Sequence, residues 1–392
     1  MNILLVAFFA WAHPPQSKFQ QLDTELPTPN DVRTASGRPG PGYWQQQVNY
    51  EIDVELDDAK QRIIGSEKVT YTNNSPHDLP YLWVQLDPNM IQPGSEGTLK
   101  QTGPDFDDFQ YDTLAEILAT SSFDSHLKLS GVKDGEGKPL DHTVVDTLLR
   151  LDLPQPLGPG QQTTFQIGWS YFINDGTVIQ ERTGYEFFAE DGNYIYEIAQ
   201  WYPRMAAYTD TAGWQNKQFL GRAEFALEFG DFTVRITVPD DHIVGATGEL
   251  KNADQVLGAK QIERMEAART STEPVLIVTA AEAKKNQKSK AKGKKTWVFE
   301  AENVRDFAFA SSRKFAWDAW GYETSAGNTV MAMSLFPPEG DPLWSQYSTQ
   351  AIVHTLEVYG RFTLPYPYPV AMSVNGPVGG MEYPMISFNR PR

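Results

Sequence analysis

Val48-Asn49-Tyr50-Glu51-Ile52-Asp53-Val54-Glu55-Leu56 alternates apolar and polar residues without a break. Successive side chains of a strand point to opposite faces, so this stretch has one apolar and one charged face. That is the pattern of a half-buried β-strand. It recurs at Val69 and Tyr71, at Leu82, Val84 and Leu86, and at Phe165, Ile167, Trp169 and Tyr171. Phe225, Leu227 and Phe229 repeat it, as do Val234, Ile236 and Val238. Turn chemistry separates these runs: Asn73-Asn74-Ser75-Pro76, Asp134-Gly135-Glu136-Gly137 and Gly158-Pro159-Gly160. Many short strands joined by such turns predict a mainly β fold, its antiparallel sheets stacked as a sandwich or curved into a saddle. No repeat of fixed period is visible.

A chain of 392 residues exceeds what one core organises and predicts about two or three domains. Hydrophobic residues at 40% and charged residues at 21% are compatible with a large core. The net charge of −17 argues against nucleic acid and anionic membrane as partners, because phosphate binding needs a basic face. The absence of cysteine excludes disulfides, Cys-ligated zinc and thiol catalysis. Ile3 to Ala12 is an apolar run closing on Ala10-Trp11-Ala12, an A-x-A-like cleavage pattern. Residues 1–12 are therefore expected to be a signal peptide, and the protein exported, periplasmic or extracellular. The run is too short to span a bilayer, and no later segment has 18 uninterrupted apolar residues, so no membrane span is expected.

Residues 13–45 are rich in Pro, Gln, Asp and Gly and predict an extended lead-in. Residues 46–312 carry the period-2 signal and form the expected β-rich N-terminal domain. Within it, Lys284 to Lys295 is a basic cluster, expected to be a solvated hairpin loop between Ile277-Val278-Thr279 and Thr296-Trp297-Val298-Phe299. The pattern changes near residue 312. Leu343 to Tyr359 places Ile352, Leu356 and Tyr359 at helical spacing and stops at Gly360, a favourable residue just past a helix end. Pro365, Pro367 and Pro369 then force an extended path into Val370-Ala371-Met372-Ser373-Val374. Helix, strand and a Gly-rich turn make residues 313–392 the expected opening of an α/β or α+β domain.

That turn ends in Gly379-Gly380-Met381-Glu382-Tyr383. Two glycines permit close backbone approach by a ligand, and a strand edge can add an extended peptide by main-chain hydrogen bonds. A carboxylate at the end of such an edge would pair with an N-terminal ammonium through charge-assisted hydrogen bonds. The bland alternative is a solvated Glu in a surface turn, since a short motif arises easily by chance.

The run resembles the Gly-x-Met-Glu-Asn signature of the aminopeptidase N family of gluzincin zinc metallopeptidases. Ala199-Gln200-Trp201-Tyr202-Pro203-Arg204 and Asp306-Phe307-Ala308-Phe309-Ala310 look like two further segments of that family's β-domain. The resemblance covers about residue 46 to the end. It implies a β saddle followed by the start of a thermolysin-like catalytic domain, a peptide substrate with a free N-terminus, and zinc as the cofactor of the complete protein. It further implies that Glu382 binds the substrate's α-ammonium while Gly379, Gly380 and Met381 line its backbone. Gln200 or Glu197 would be a second amine anchor. Tyr383 stands where the signature has Asn.

The family's H-E-x-x-H motif works by placing two histidines on one helix face with a Glu as general base. The six histidines here, His13, His77, His126, His142, His242 and His354, include no pair at that spacing. A G-x-S-x-G nucleophile elbow and a phosphate loop are missing too. Asp105-Phe106-Asp107-Asp108 lacks the spacing of a calcium loop and is expected to be an acidic turn. The expectation is thus an inactive N-terminal fragment of a zinc aminopeptidase, with metal ligands and general base beyond Arg392. H-E-x-x-H should then follow within about two to three dozen residues of coding sequence. The alternative is a secreted, non-catalytic β-rich binding module or a family relative without zinc.

Overall fold

The computed structural model describes residues 29–100, 109–221, 225–390 and 392. The expected signal peptide, the first part of the lead-in and the Asp105–Asp108 turn lie outside them. The chain falls into two compact units, one ending at Trp44 and one running from Gln45 to Arg392. In the first, Asn30 Oδ1 accepts from the Val32 and Arg33 amides, and Arg33 bridges Pro39 across a turn with Gly37 at φ 79°.

The second unit is mainly β. Gln47–Asp57 is the strand that the opening alternation predicts, with Val48, Tyr50, Ile52, Val54 and Leu56 buried. Moving a side chain of that size out of water stabilises by about 1.5–3 kcal/mol, so one strand face carries much of the local folding energy. This strand pairs antiparallel with Arg62–Thr72 and parallel with Gly230–Pro239, at the centre of a seven-stranded sheet. Trp169 from Gln162–Phe172 lies against Gly65, where a Cβ would meet its ring at 2.5 Å, so the backbone there has to be bare. A four-stranded sheet, ordered Arg204–Met205, Leu79–Gln85, Leu148–Leu157 and His142–Val145, shares the same core. Tyr50 spans the two sheets: its hydroxyl accepts from the Met205 amide at 3.0 Å and its ring meets Tyr202 edge-on.

Two more sheets position the C-terminal residues. One is four-stranded, ordered Ile243–Ala246, Phe309–Ser312, Asn193–Ile198 and Gly184–Phe188. The other is six-stranded, ordered Val275–Val278, Ala316–Glu323, Thr329–Phe336, Val370–Asn375, Ile386–Asn389 and Met381–Tyr383. Thr329–Phe336 and Val370–Asn375 run parallel, which requires a crossover, and the helix Leu343–Phe362 supplies it. Trp344, Thr349, Val353 and Leu356 bury one side of that helix. The Thr349 hydroxyl lies 2.5 Å from an Asp318 carboxylate oxygen and 2.7 Å from the Ser334 hydroxyl, which pins the helix to the sheet.

Three local expectations are corrected. Lys284–Lys295 is not a hairpin loop: Ala280–Ser289 is a helix, opened by a capping box in which Thr279 and Glu282 bond each other's backbone amides. The strands it connects belong to different sheets, Val275–Val278 to the six-stranded one and Lys294–Val304 to the seven-stranded one. Phe225 and Leu227 are not in a strand, and Phe229 makes only an isolated bridge to Gln47 before Gly230–Pro239 begins. Gly360 does not end the long helix, which continues to Phe362 before Pro365 blocks it. No helix among the described residues is long and apolar enough to cross a membrane.

Candidate functional site

Met381–Tyr383 is the last strand of the six-stranded sheet, with no further strand beyond it among the described residues. Its inner side pairs antiparallel with Ile386–Asn389 in the register Met381 to Phe388, Glu382 to Ser387 and Tyr383 to Ile386. The Gly380 amide starts this pairing by donating to the Phe388 carbonyl at 3.1 Å, and Gly380 takes φ 73°, open to glycine at no steric cost. Gly379 is crowded by the Arg390 side chain, whose carbons would lie 2.9 Å from an added Cβ. Gly379, Gly380 and Glu382 are exposed, and Met381 is half-buried.

Glu382 opens onto a groove of about 790 Å³ between the sheet and the long helix. Tyr347, Ile352 and Thr355 line one wall, and Met372, Met385 and Tyr383 line the other. The groove is largely apolar, and Glu382 and Arg390 are the two charged residues that line it.

Glu197 sits on the other side of the same turn. Its strand, Asn193–Ile198, belongs to the four-stranded sheet, and its side chain is 0% exposed. Oε2 accepts from the Val378 amide at 2.7 Å, while Oε1 is buried without a hydrogen-bond partner. Gly376 is what lets the carboxyl in: a Cβ there would lie 2.4–2.7 Å from the Glu197 carboxyl atoms. Burial pushes the acid well above the usual carboxylate range; the Val378 hydrogen bond and Arg392 and Arg390 pull against that shift, and Glu186 adds to it. Glu197 therefore meets the turn as an acid enclosed in protein, shifted toward its neutral form. Gln200 lies past the end of its strand, half-buried and in the left-handed region at φ 52°. No hydrogen bond joins it to the Gly-rich turn among the described residues.

Other contacts that the sequence did not disclose hold the edge in place. Thr247, fully buried, donates from its hydroxyl to the Pro384 carbonyl at 2.8 Å and accepts from the Ala308 amide. Arg204 is buried between Asp87 at 2.9 Å and Asp306 at 2.6 Å, and lies within electrostatic reach of the Tyr383 phenol. Tyr202 donates to Asp306 at 2.8 Å. The two segments quoted for the resemblance thus meet through Tyr202, Arg204 and Asp306, and the Gly-rich run contributes Tyr383 beside them.

Among the described residues no group of three or more His, Asp or Glu comes together that could hold a metal ion. His354 is exposed on the long helix, and His242 is buried against Ser311. These residues do not fit the zinc that the resemblance implies.

No family model matches the sequence, and no curated protein matches it. Several solved structures are similar. One is described as a two-domain M1 zinc metallopeptidase mutant bound to L-tryptophan, at TM-score 0.48 and 14% identity, over 88% of this chain and 60% of that one. Another is an M1 zinc metallopeptidase mutant from Deinococcus radiodurans bound to a Tyr-Ser-Ala substrate, at TM-score 0.47 and 14% identity, over 86% of this chain and 58% of that one. The chain spans about three fifths of the length of these structures.

Proposed function

We propose that this chain is the substrate-anchoring part of a zinc aminopeptidase that trims residues from the free N-termini of peptides. The carrying observation is an exposed carboxylate, Glu382, on the outermost strand of a sheet, directly after two glycines. An extended peptide would add to this edge through main-chain hydrogen bonds along Gly379, Gly380 and Met381. Its α-ammonium would stop at Glu382, where a charge-assisted hydrogen bond sets how far the peptide enters. The first side chain would then face the groove beside Tyr383 and Met385. Arg390, which also lines the groove, would favour a backbone carbonyl over a second ammonium. Zinc and the general base belong, on this reading, to residues other than those described, so the chain's own part is binding and alignment, with no bond-breaking step.

The test is equilibrium binding of a fluorescent tripeptide, as the free amine and as its N-acetyl derivative. The free amine should bind at least about tenfold more tightly, the worth of one charged hydrogen bond. Glu382→Gln should erase that preference. Equal binding of the two peptides to the unsubstituted protein would overturn the reading and leave a surface turn.

A further inference from the structure

We propose that Glu197 is a positioning residue for the edge strand that carries Glu382: it staples the Gly376–Val378 turn from below and does not itself touch a ligand. The inference rests on the peptide-anchoring reading for its function, but its structural content stands separately.

Three observations carry it. The Glu197 carboxyl is wholly enclosed, so no substrate amine reaches it. One of its oxygens is committed to the Val378 amide, a contact spanning 181 residues of sequence. The turn is shaped around it, because only a glycine at 376 leaves room for the carboxyl group. A buried amide without an acceptor is costly, so the turn is held wherever Glu197 puts it.

The geometry explains why one staple suffices. From Val378 the chain has three residues before Glu382, and two of them are exposed glycines with little packing of their own. Past Glu382 the segment is held again where Thr247 donates to the Pro384 carbonyl. The edge strand is therefore suspended between two buried side chains of the β-rich part, Glu197 before it and Thr247 after it. Its own sheet contributes only the short pairing with Ile386–Asn389. Because Glu197 meets the turn through one carboxyl oxygen on the Val378 amide, its role is that of a hydrogen-bond acceptor of fixed length, which a Gln can also fill. A direct amine anchor would need the charge.

The experiment compares Glu197→Ala, Glu197→Gln and Gly376→Ala by amide hydrogen exchange and by the free-amine tripeptide assay. Glu197→Ala should speed exchange at Val378 and Gly380 at least about tenfold and weaken the peptide about tenfold. Glu197→Gln should stay within about threefold of the unsubstituted protein in both. Gly376→Ala, which leaves residue 197 untouched, should reproduce the Glu197→Ala loosening and decides the matter if Glu197→Ala does not fold. Unchanged exchange at Val378 and Gly380 in a folded Glu197→Ala protein would overturn the proposal. So would a Glu197→Gln protein as impaired as Glu197→Ala, since that requires the charge. If the unsubstituted protein fails to prefer the free amine, the peptide reading falls, and hydrogen exchange alone still decides the staple.

Discussion

Glu197 and Glu382 are two carboxylates on opposite sides of one Gly-rich turn, and their surroundings give them opposite chemistry. Glu197 is enclosed, bonded to a backbone amide and shifted by burial toward its neutral form. Glu382 is exposed and lines a groove, on a strand whose outer side no described strand covers. A carboxylate out of water is most useful as part of the scaffold, because bringing a charged ligand to it would first require paying back its desolvation. One in water at a strand edge can meet an ammonium without that cost. On the proposed function, side chains of the same type divide the work, the buried one shaping the turn and the exposed one meeting the peptide amine.

The largest way to break the buried side is with acid. His242 precedes Ile243–Ala246 in the four-stranded sheet that also holds Glu197, and its Nδ1 sits 2.9 Å from the Ser311 hydroxyl. Burial, aided by Arg313 and opposed by Asp241, lowers its pKa from 6.5 to about 3. A depressed histidine means the unfolded chain takes up protons first. Its contribution is thus constant above pH about 6.5, and stability is lost as pH falls from there toward 3, by roughly 5 kcal/mol at most. The stability gap between the unsubstituted protein and His242→Asn, measured by urea unfolding, should narrow across that window. A gap independent of pH would show that His242 titrates normally and that this sheet is open to water.

Next in size is Arg204, which binds the β-rich part together beneath the edge strand. Arg204→Ala would leave the Asp87 and Asp306 carboxylates buried without their counter-charge, at a cost of about 3–5 kcal/mol in chemical unfolding. Arg204→Met with Asp87→Asn and Asp306→Asn should recover most of that, because the penalty comes from unpaired charge. A small effect for Arg204→Ala would mean the cluster is hydrated, and the contrast between buried and exposed acids would lose its sharpest example.

How far the sequence disclosed this arrangement follows the same division. Alternation over Val48–Leu56 was legible because one face of Gln47–Asp57 is buried and the other is wet, the condition that a period-2 pattern reports. Helical spacing found Leu343–Tyr359 for the same reason, and missed its end because one glycine costs a helix only about 1 kcal/mol and does not stop it. The helix Ala280–Ser289 escaped because its lysines dominate the composition, although Thr279 and Glu282 form a capping box that could have been read. Local chemistry left the Gly-Gly-Met-Glu run open between an anchoring edge and a surface turn, and the structure puts Met381–Tyr383 on an edge strand with Glu382 exposed. The role of Glu197 was not, since its partner is 181 residues away and no local pattern encodes a long-range hydrogen bond. Arg204, Asp306 and Thr247 were hidden for the same cause.

The smallest effect sharpens the comparison most. Glu382→Ala removes an exposed side chain from a short edge strand whose backbone pairing to Ser387 is unaffected, so stability should change by no more than about 0.5 kcal/mol. Glu197→Ala, a substitution of the same atoms a few residues away in space, strips the acceptor from a buried amide and should cost about 1–3 kcal/mol. Thermal unfolding of the two variants side by side separates an acid that the scaffold needs from one that it does not, without any peptide present. If Glu382→Ala proves as destabilising as Glu197→Ala, the edge strand depends on its carboxylate for folding, and Glu382 is no longer free to serve as an anchor.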